Sequence, residues 1–128
     1  IAAVASVSGV MLDCTGSTDH PMPIVHLHGT SDAVLPYNGS SFYPSTQNTL
    51  DYWIQFNSTN TTPTTNSDNS DGMTIEHYAY EQGDRSVSVE HYKYIGGDHI
   101  WFTSTFQGHN ASELVWNFVS RYDLNGLR

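Results

Sequence analysis

The chain opens on a run of small and apolar residues, IAAVASVSGVM, broken at Gly9. A stretch of this length without a charge predicts a strand buried on both faces. A second run, PMPIVHLHG, begins among prolines, stops at Gly29 and predicts another such strand, with DCTGSTDH as the loop between them. From Ser45 the spacing Leu50, Trp53, Ile54, Asn57 follows the helical period, and Ser45 or Thr46 can cap it, so residues 46 to 57 predict a helix. The apolar pattern then stops. NSTNTTPTTNSDNSDG, residues 57 to 72, holds almost no apolar side chain and predicts an exposed loop.

Beyond it MTIEHYAY and VSVEHYKY are rich in strand formers and are separated by EQGDRS, whose Gly83 and Asp84 suit a hairpin turn. Antiparallel pairing is the expectation; one long strand beside a neighbour in a mixed sheet also fits. IGGDHIWF follows as a glycine-hinged loop. Asn110 then caps ASELVWNFVSRY, with Glu113 as capping-box partner and Leu114, Val115, Phe118, Val119 and Tyr122 on one face. The order strand, strand, helix, strand, strand, helix predicts an α/β sheet covered by helices. The 128 residues make one domain, residues 1 to 128, and the abrupt apolar start predicts a fragment, because chains usually open on polar, poorly ordered positions.

Charge narrows the partners. Thirteen acids against Arg85, Lys93, Arg121 and Arg128 give a net charge of -9, which repels phosphate backbones and anionic lipid. Neither nucleic acid nor a membrane is an expected partner, and no run approaches the roughly twenty apolar residues of a membrane span. An uncharged or cationic substrate fits this field. Cys14 is alone, so no disulfide closes within the chain and no cysteine-rich zinc site forms.

The candidate chemistry sits at strand ends. Asp32 lies three residues past the end of IVHLHG, and His99 holds the same place after VEHYKYIGG. In open sheets the carboxyl ends of strands are where loops converge on ligands. An acid and an imidazole at one such edge can form a relay in which the acid fixes the tautomer of the base. Taken alone, Asp32 reads equally well as a turn-forming aspartate.

The other histidines offer a rival reading. His26 and His28 share a strand face, and His77 and His91 could face each other across a hairpin, giving an imidazole cluster for zinc or copper. Buried strand histidines are more often hydrogen-bonded core residues, and no metal is the favoured expectation. His20 and His109 read as solvated, and Trp53, Trp116 and Phe118 as helical core residues. Four N-x-S/T sequons, at Asn38, Asn57, Asn60 and Asn110, arise easily in so Ser/Thr/Asn-rich a chain.

IVHLHGTSDAVLPYNG resembles the acid-bearing segment of α/β-hydrolases of the polyhydroxybutyrate depolymerase and feruloyl esterase type, in which a strand ends in His-Gly, followed by Asp and a Val-Pro-Tyr turn. IGGDHIWF is similar to the histidine loop of that family, and NASELVWNFVSRYDLNG resembles its terminal helix, so the likeness runs from about Ile1 to Arg128. It implies Asp32 as relay acid, His99 as general base and Trp101 as lining of the acyl pocket. The fold implied is α/β, the C-terminal half of an α/β-hydrolase sheet with flanking helices. Asp98 stands where glycine is usual, and Ile100 and Phe102 replace Thr and Pro.

The G-x-S-x-G elbow of that family is absent. Ser6 and Ser8 lack the glycine two residues before them and fall in a predicted strand. The resemblance makes IAAVASVSGVM the strand after the elbow helix and places the serine and oxyanion donors upstream of Ile1. It implies a serine-dependent carboxylic ester hydrolase without cofactor, acting on a neutral ester or polyester, with the N-terminal half of the same hydrolase domain as its partner. Few cations, an acidic surface and a long polar stretch point to a secreted protein. The competing expectation is a non-catalytic binding module that associates through an exposed sheet edge.

Overall fold

Alternation along β2 (Ile24–Gly29) sets the architecture, because its odd and even side chains feed two separate cores. The computed structural model describes residues 1–11 and 20–128; Cys14 and most of the predicted loop around it lie outside these. β2 lies between β1 (Val4–Val7) and β5 (Val89–Tyr94), parallel to both, with Ile24 opposite Val89 and Gly29 opposite Tyr94. β4 (Met73–Tyr80) pairs antiparallel with β5, and β3 (Thr64–Ser70) antiparallel with β4, giving the order β1-β2-β5-β4-β3. A two-stranded ribbon, β6 (Tyr122–Asp123) with β7 (Gly126–Leu127), follows the last helix.

One face carries Val25, Leu27, Ile75, Tyr92 and Tyr94 under helix α2 (Ala111–Val119), which contributes Leu114 and Phe118. The other carries Ile24, Tyr80 and Val89 under helix α1 (Thr46–Asn57), through Leu50 and Ile54. Each fully buried side chain of this size contributes about 1.5–3 kcal/mol. Both helices begin where their caps dictate. The Ser45 side chain accepts from the Asn48 N–H, and Asn110 with Glu113 forms a complete capping box. Ser58 ends α1 in the left-handed region.

Four expectations change. The stretch 57–72 is not all loop: Thr64–Ser70 is a strand, turned into β4 by Asp71 (φ 55°) and Gly72 (φ 78°). An Asp-Gly pair with both residues at positive φ makes the two-residue turn that matches strand twist, and a polar edge strand needs ladder hydrogen bonds rather than apolar burial. β1 is half-buried and stops at Val7, because among the described residues it pairs with β2 alone. The β4–β5 link is a 3₁₀ turn (Asp84–Ser86) with Gln82, Arg85 and Ser86 at positive φ, not a tight Gly-Asp hairpin. Trp116 is 67% exposed, on the outer side of α2.

The expected fold class, an α/β fold forming the C-terminal half of an α/β-hydrolase sheet with flanking helices, is therefore corrected. Among the described residues strands take up 31% and helices 20%, and the domain is small and β-rich, built on a five-stranded mixed sheet. The polar stretch after α1 has no helical apolar period. It pairs as a hairpin strand instead, which makes half of the sheet's ladders antiparallel.

Candidate active site

β2 and β5 end level with each other, and the loops that leave them interlock. A Cβ on Gly29 would stand 2.2 Å from the Gly97 carbonyl oxygen, so only glycine permits the two backbones to approach this closely. The contact is stitched by Thr30 N–H to Tyr94 O (2.9 Å), Ser31 N–H to Gly97 O (2.9 Å) and Gly96 N–H to Thr30 Oγ1 (2.7 Å). Phe102 stacks on Tyr94, ring centroids 3.9 Å apart, and pins the far end of the histidine loop in the core.

Asp32 and His99 meet in this frame. The carboxylate is buried. Its Oδ1 accepts the N–H groups of Val34 and Leu35, both at 2.8 Å, while Oδ2 faces His99 Nδ1 at 2.9 Å. Asp32 is thus the turn-former and the partner of the base at once. Because a carboxylate only accepts, Nδ1 is the donor and Nε2 is the ring's basic nitrogen. Burial by itself would raise the Asp32 carboxyl, but the Leu35 amide, the His99 ring and the Val34 amide outweigh it and hold it below the ordinary carboxylate value. The His99 side chain is 36% exposed, so the base reaches solvent from a buried anchor.

Other residues shape this edge. His28, fully buried, donates from Nε2 to the Leu35 carbonyl at 2.8 Å and lies 3.3 Å from Asp32 Oδ2, bracing the acid's turn from beneath. Asp98 accepts the His99 backbone N–H at 2.7 Å and is thereby committed to the loop rather than to the ring. Trp101 is 56% exposed, its indole N–H on Ser112 Oγ (3.2 Å); with exposed Ile100 and Val34 it puts apolar surface on the loops that carry the pair.

Ser8, weighed from the sequence as a nucleophile and set aside as a strand residue, stands elsewhere. It is not inside a strand but one residue past the end of β1, at the same sheet edge, with φ 57° and its hydroxyl donating to the Ile100 carbonyl at 2.9 Å. The signal was its place at the end of the first apolar run, level with the strand end that precedes Asp32. Among the described residues no serine hydroxyl is hydrogen-bonded to His99 Nε2.

The imidazole cluster does not form a metal site. Tyr78, not His77, lies opposite His91, so His77 is on the other face, where it donates to Glu90 at 2.7 Å. His26 donates to the Gly9 carbonyl, and His91 donates to the His26 carbonyl while accepting from Tyr37. Among the described residues no three His, Cys, Asp or Glu side chains are grouped so that they could hold a metal ion. His20, expected to be solvated, is half-buried against the Pro21 carbonyl. Glu90 is a buried carboxylate held by His77, Ser88 and Arg121, and it ties β5 to the end of α2. No protein-family model matches the chain, and no curated protein matches it.

Proposed function

We propose that this chain supplies the acid and base of a serine-dependent carboxylic ester hydrolase of the polyester depolymerase or feruloyl/acetyl esterase type. The observation that supports it is the Asp32–His99 contact: a buried anionic carboxylate on Nδ1 of a partly exposed imidazole, at the carboxyl edge of parallel strands. In this reading the serine lies upstream of Ile1. His99 Nε2 takes its hydroxyl proton as the oxygen attacks the ester carbonyl, then delivers that proton to the departing alcohol, leaving an acyl-serine for water to clear by the same steps. Asp32 holds the ring and stabilises the imidazolium.

Trp101 lines the acyl side of the substrate, and the charge of -9 favours a neutral ester over an anionic one. The reading needs no cofactor. Secretion is part of the proposal and rests on composition. No helix among the described residues is long and apolar enough to cross a membrane. A second reading, a non-catalytic module, draws on the outer edge of β1, which has no strand beside it among the described residues.

A fluorophosphonate probe followed by intact-mass analysis of the natural protein separates the two. The catalytic reading expects one phosphonyl adduct on a serine, lost in His99→Ala. Absence of labelling in a folded protein would hand the lead to the binding module.

A further inference from the structure

Serine at positive φ is uncommon, because its Cβ crowds the following carbonyl, and such a residue persists only where its surroundings hold it. Ser8 has φ 57°. Its N–H continues the parallel ladder to the Leu27 carbonyl at 2.8 Å, so its backbone is fixed by β2, the strand that ends in the acid's turn. Its hydroxyl reaches across 92 positions of sequence to the carbonyl of Ile100, the residue that follows His99. Beside it Ile100 is exposed, its N–H is held by the nearby Asp98 carbonyl, the Trp101 indole bonds Ser112 Oγ at the surface, and the nearest buried anchor is Phe102.

We propose that Ser8 is a positioning residue for the base: its hydroxyl clamps the Ile100 carbonyl to the end of β1 and so holds the His99 ring against Asp32. The role rests on the Asp32–His99 relay proposed above and extends it to a third strand. β2 presents the acid, β5 leads into the base, and β1 locks the base's loop from the other side of the acid. A hydroxyl committed to a carbonyl acceptor is not turned toward His99 Nε2, so Ser8 serves the relay without being its nucleophile. The competing explanation is that the left-handed residue merely turns the chain at the end of β1, toward Gly9 and its bond to His26.

Two substitutions separate these roles. Ser8→Ala removes the hydroxyl and keeps the strained backbone; Ser8→Gly removes the hydroxyl and relieves the strain. Long-range ¹H–¹⁵N imidazole spectra of the natural protein report the His99 tautomer and the protection of its Nδ1 proton, with thermal unfolding measured alongside. Positioning predicts that both variants lose the slow-exchanging Nδ1 proton, exchange rising about tenfold as one hydrogen-bond tether is lost, while the thermal midpoint falls in Ser8→Ala and holds or rises in Ser8→Gly. A wild-type His99 signal in folded Ser8→Gly overturns the proposal, and this variant decides the matter even if Ser8→Ala fails to fold. A phosphonyl adduct on Ser8 overturns it as well. If the wild-type chain itself shows no Asp32-bound Nδ1 proton, the relay is absent and the proposed function falls first; if wild type shows it and Ser8→Gly keeps it, only the role of Ser8 falls.

Discussion

Acid should destabilise this domain through its buried imidazoles. His26 lies in the α1-side core with Nδ1 unpartnered, and burial, joined by the neighbouring His28 and only partly offset by the Gly9 carbonyl, lowers it from 6.5 to about 4. His91 is lowered well below 6.5, first by burial and then by His26. In the unfolded chain both protonate near pH 6.5, so the unfolded state binds more protons than the folded one at any pH between the two values. Their contribution is complete above about pH 6.5 and is lost as pH falls toward 4. For His26 the gap is worth about 3 kcal/mol and gives a slope of about 1 kcal/mol per pH unit near pH 5, to which His91 adds in the same direction. Set against the roughly 5–15 kcal/mol that holds a domain of this size, that is a large share of its stability. Asp32 and Glu90, held below the ordinary carboxylate value, add their own loss as pH falls below their unfolded values of 3.8 and 4.5. Urea denaturation followed by tryptophan fluorescence at pH 7, 6, 5 and 4.5 measures the slope. His26→Gln, which keeps a donor for Gly9 and does not titrate, should lower it by about 1 kcal/mol per pH unit. Equal stability at pH 7 and pH 5, or an unchanged slope in His26→Gln, would refute the reasoning.

Asn57→Ala should cost about 2–4 kcal/mol in chemical denaturation, since the buried amide accepts from Met22 N–H and donates to Met22 O, both at 2.7 Å, and truncation leaves both groups unpaired; a loss below about 0.5 kcal/mol would count against this tie. Gly29→Ala should drive the two site loops apart and abolish the His99 Nδ1–Asp32 contact in the imidazole spectrum, because its Cβ would meet backbone at 2.2 Å; a preserved contact would contradict the packing described. Gly72→Ala, where a Cβ meets nothing within 4 Å, should lose only the backbone cost of positive φ, about 1 kcal/mol, and leave the hairpin intact by amide exchange.

Much of this was legible where side chains act locally. Ser45, Asn110 and Glu113 marked both helix starts, and the apolar run around Ile24 marked the strand buried on both faces. Asp32 and His99 were legible because both lie just past strand ends that proved parallel and level. Tertiary effects were not. Thr64–Ser70 has no apolar face, so hydrophobic patterning could not reveal it, although the Asp71-Gly72 turn carried the signal. His77 and His91 looked equivalent as copies of one tripeptide, yet a one-residue difference in register put them on opposite faces. Trp116 followed the helical period without facing the core, and the tie from Ser8 to Ile100 spans 92 positions, beyond any local pattern.

The proposed catalytic relay of Asp32 and His99 is tested most directly by ester turnover of the natural protein and its Asp32→Asn variant. Asparagine keeps the shape and the Oδ1 acceptor for Val34 and Leu35 but turns an amide donor toward His99 Nδ1, favouring the wrong tautomer. The relay predicts a fall in kcat of about 10⁴-fold with little change in KM, the size of effect that loss of the acid has in serine–histidine–aspartate enzymes. Turnover within about twofold of wild type in a folded variant would contradict it.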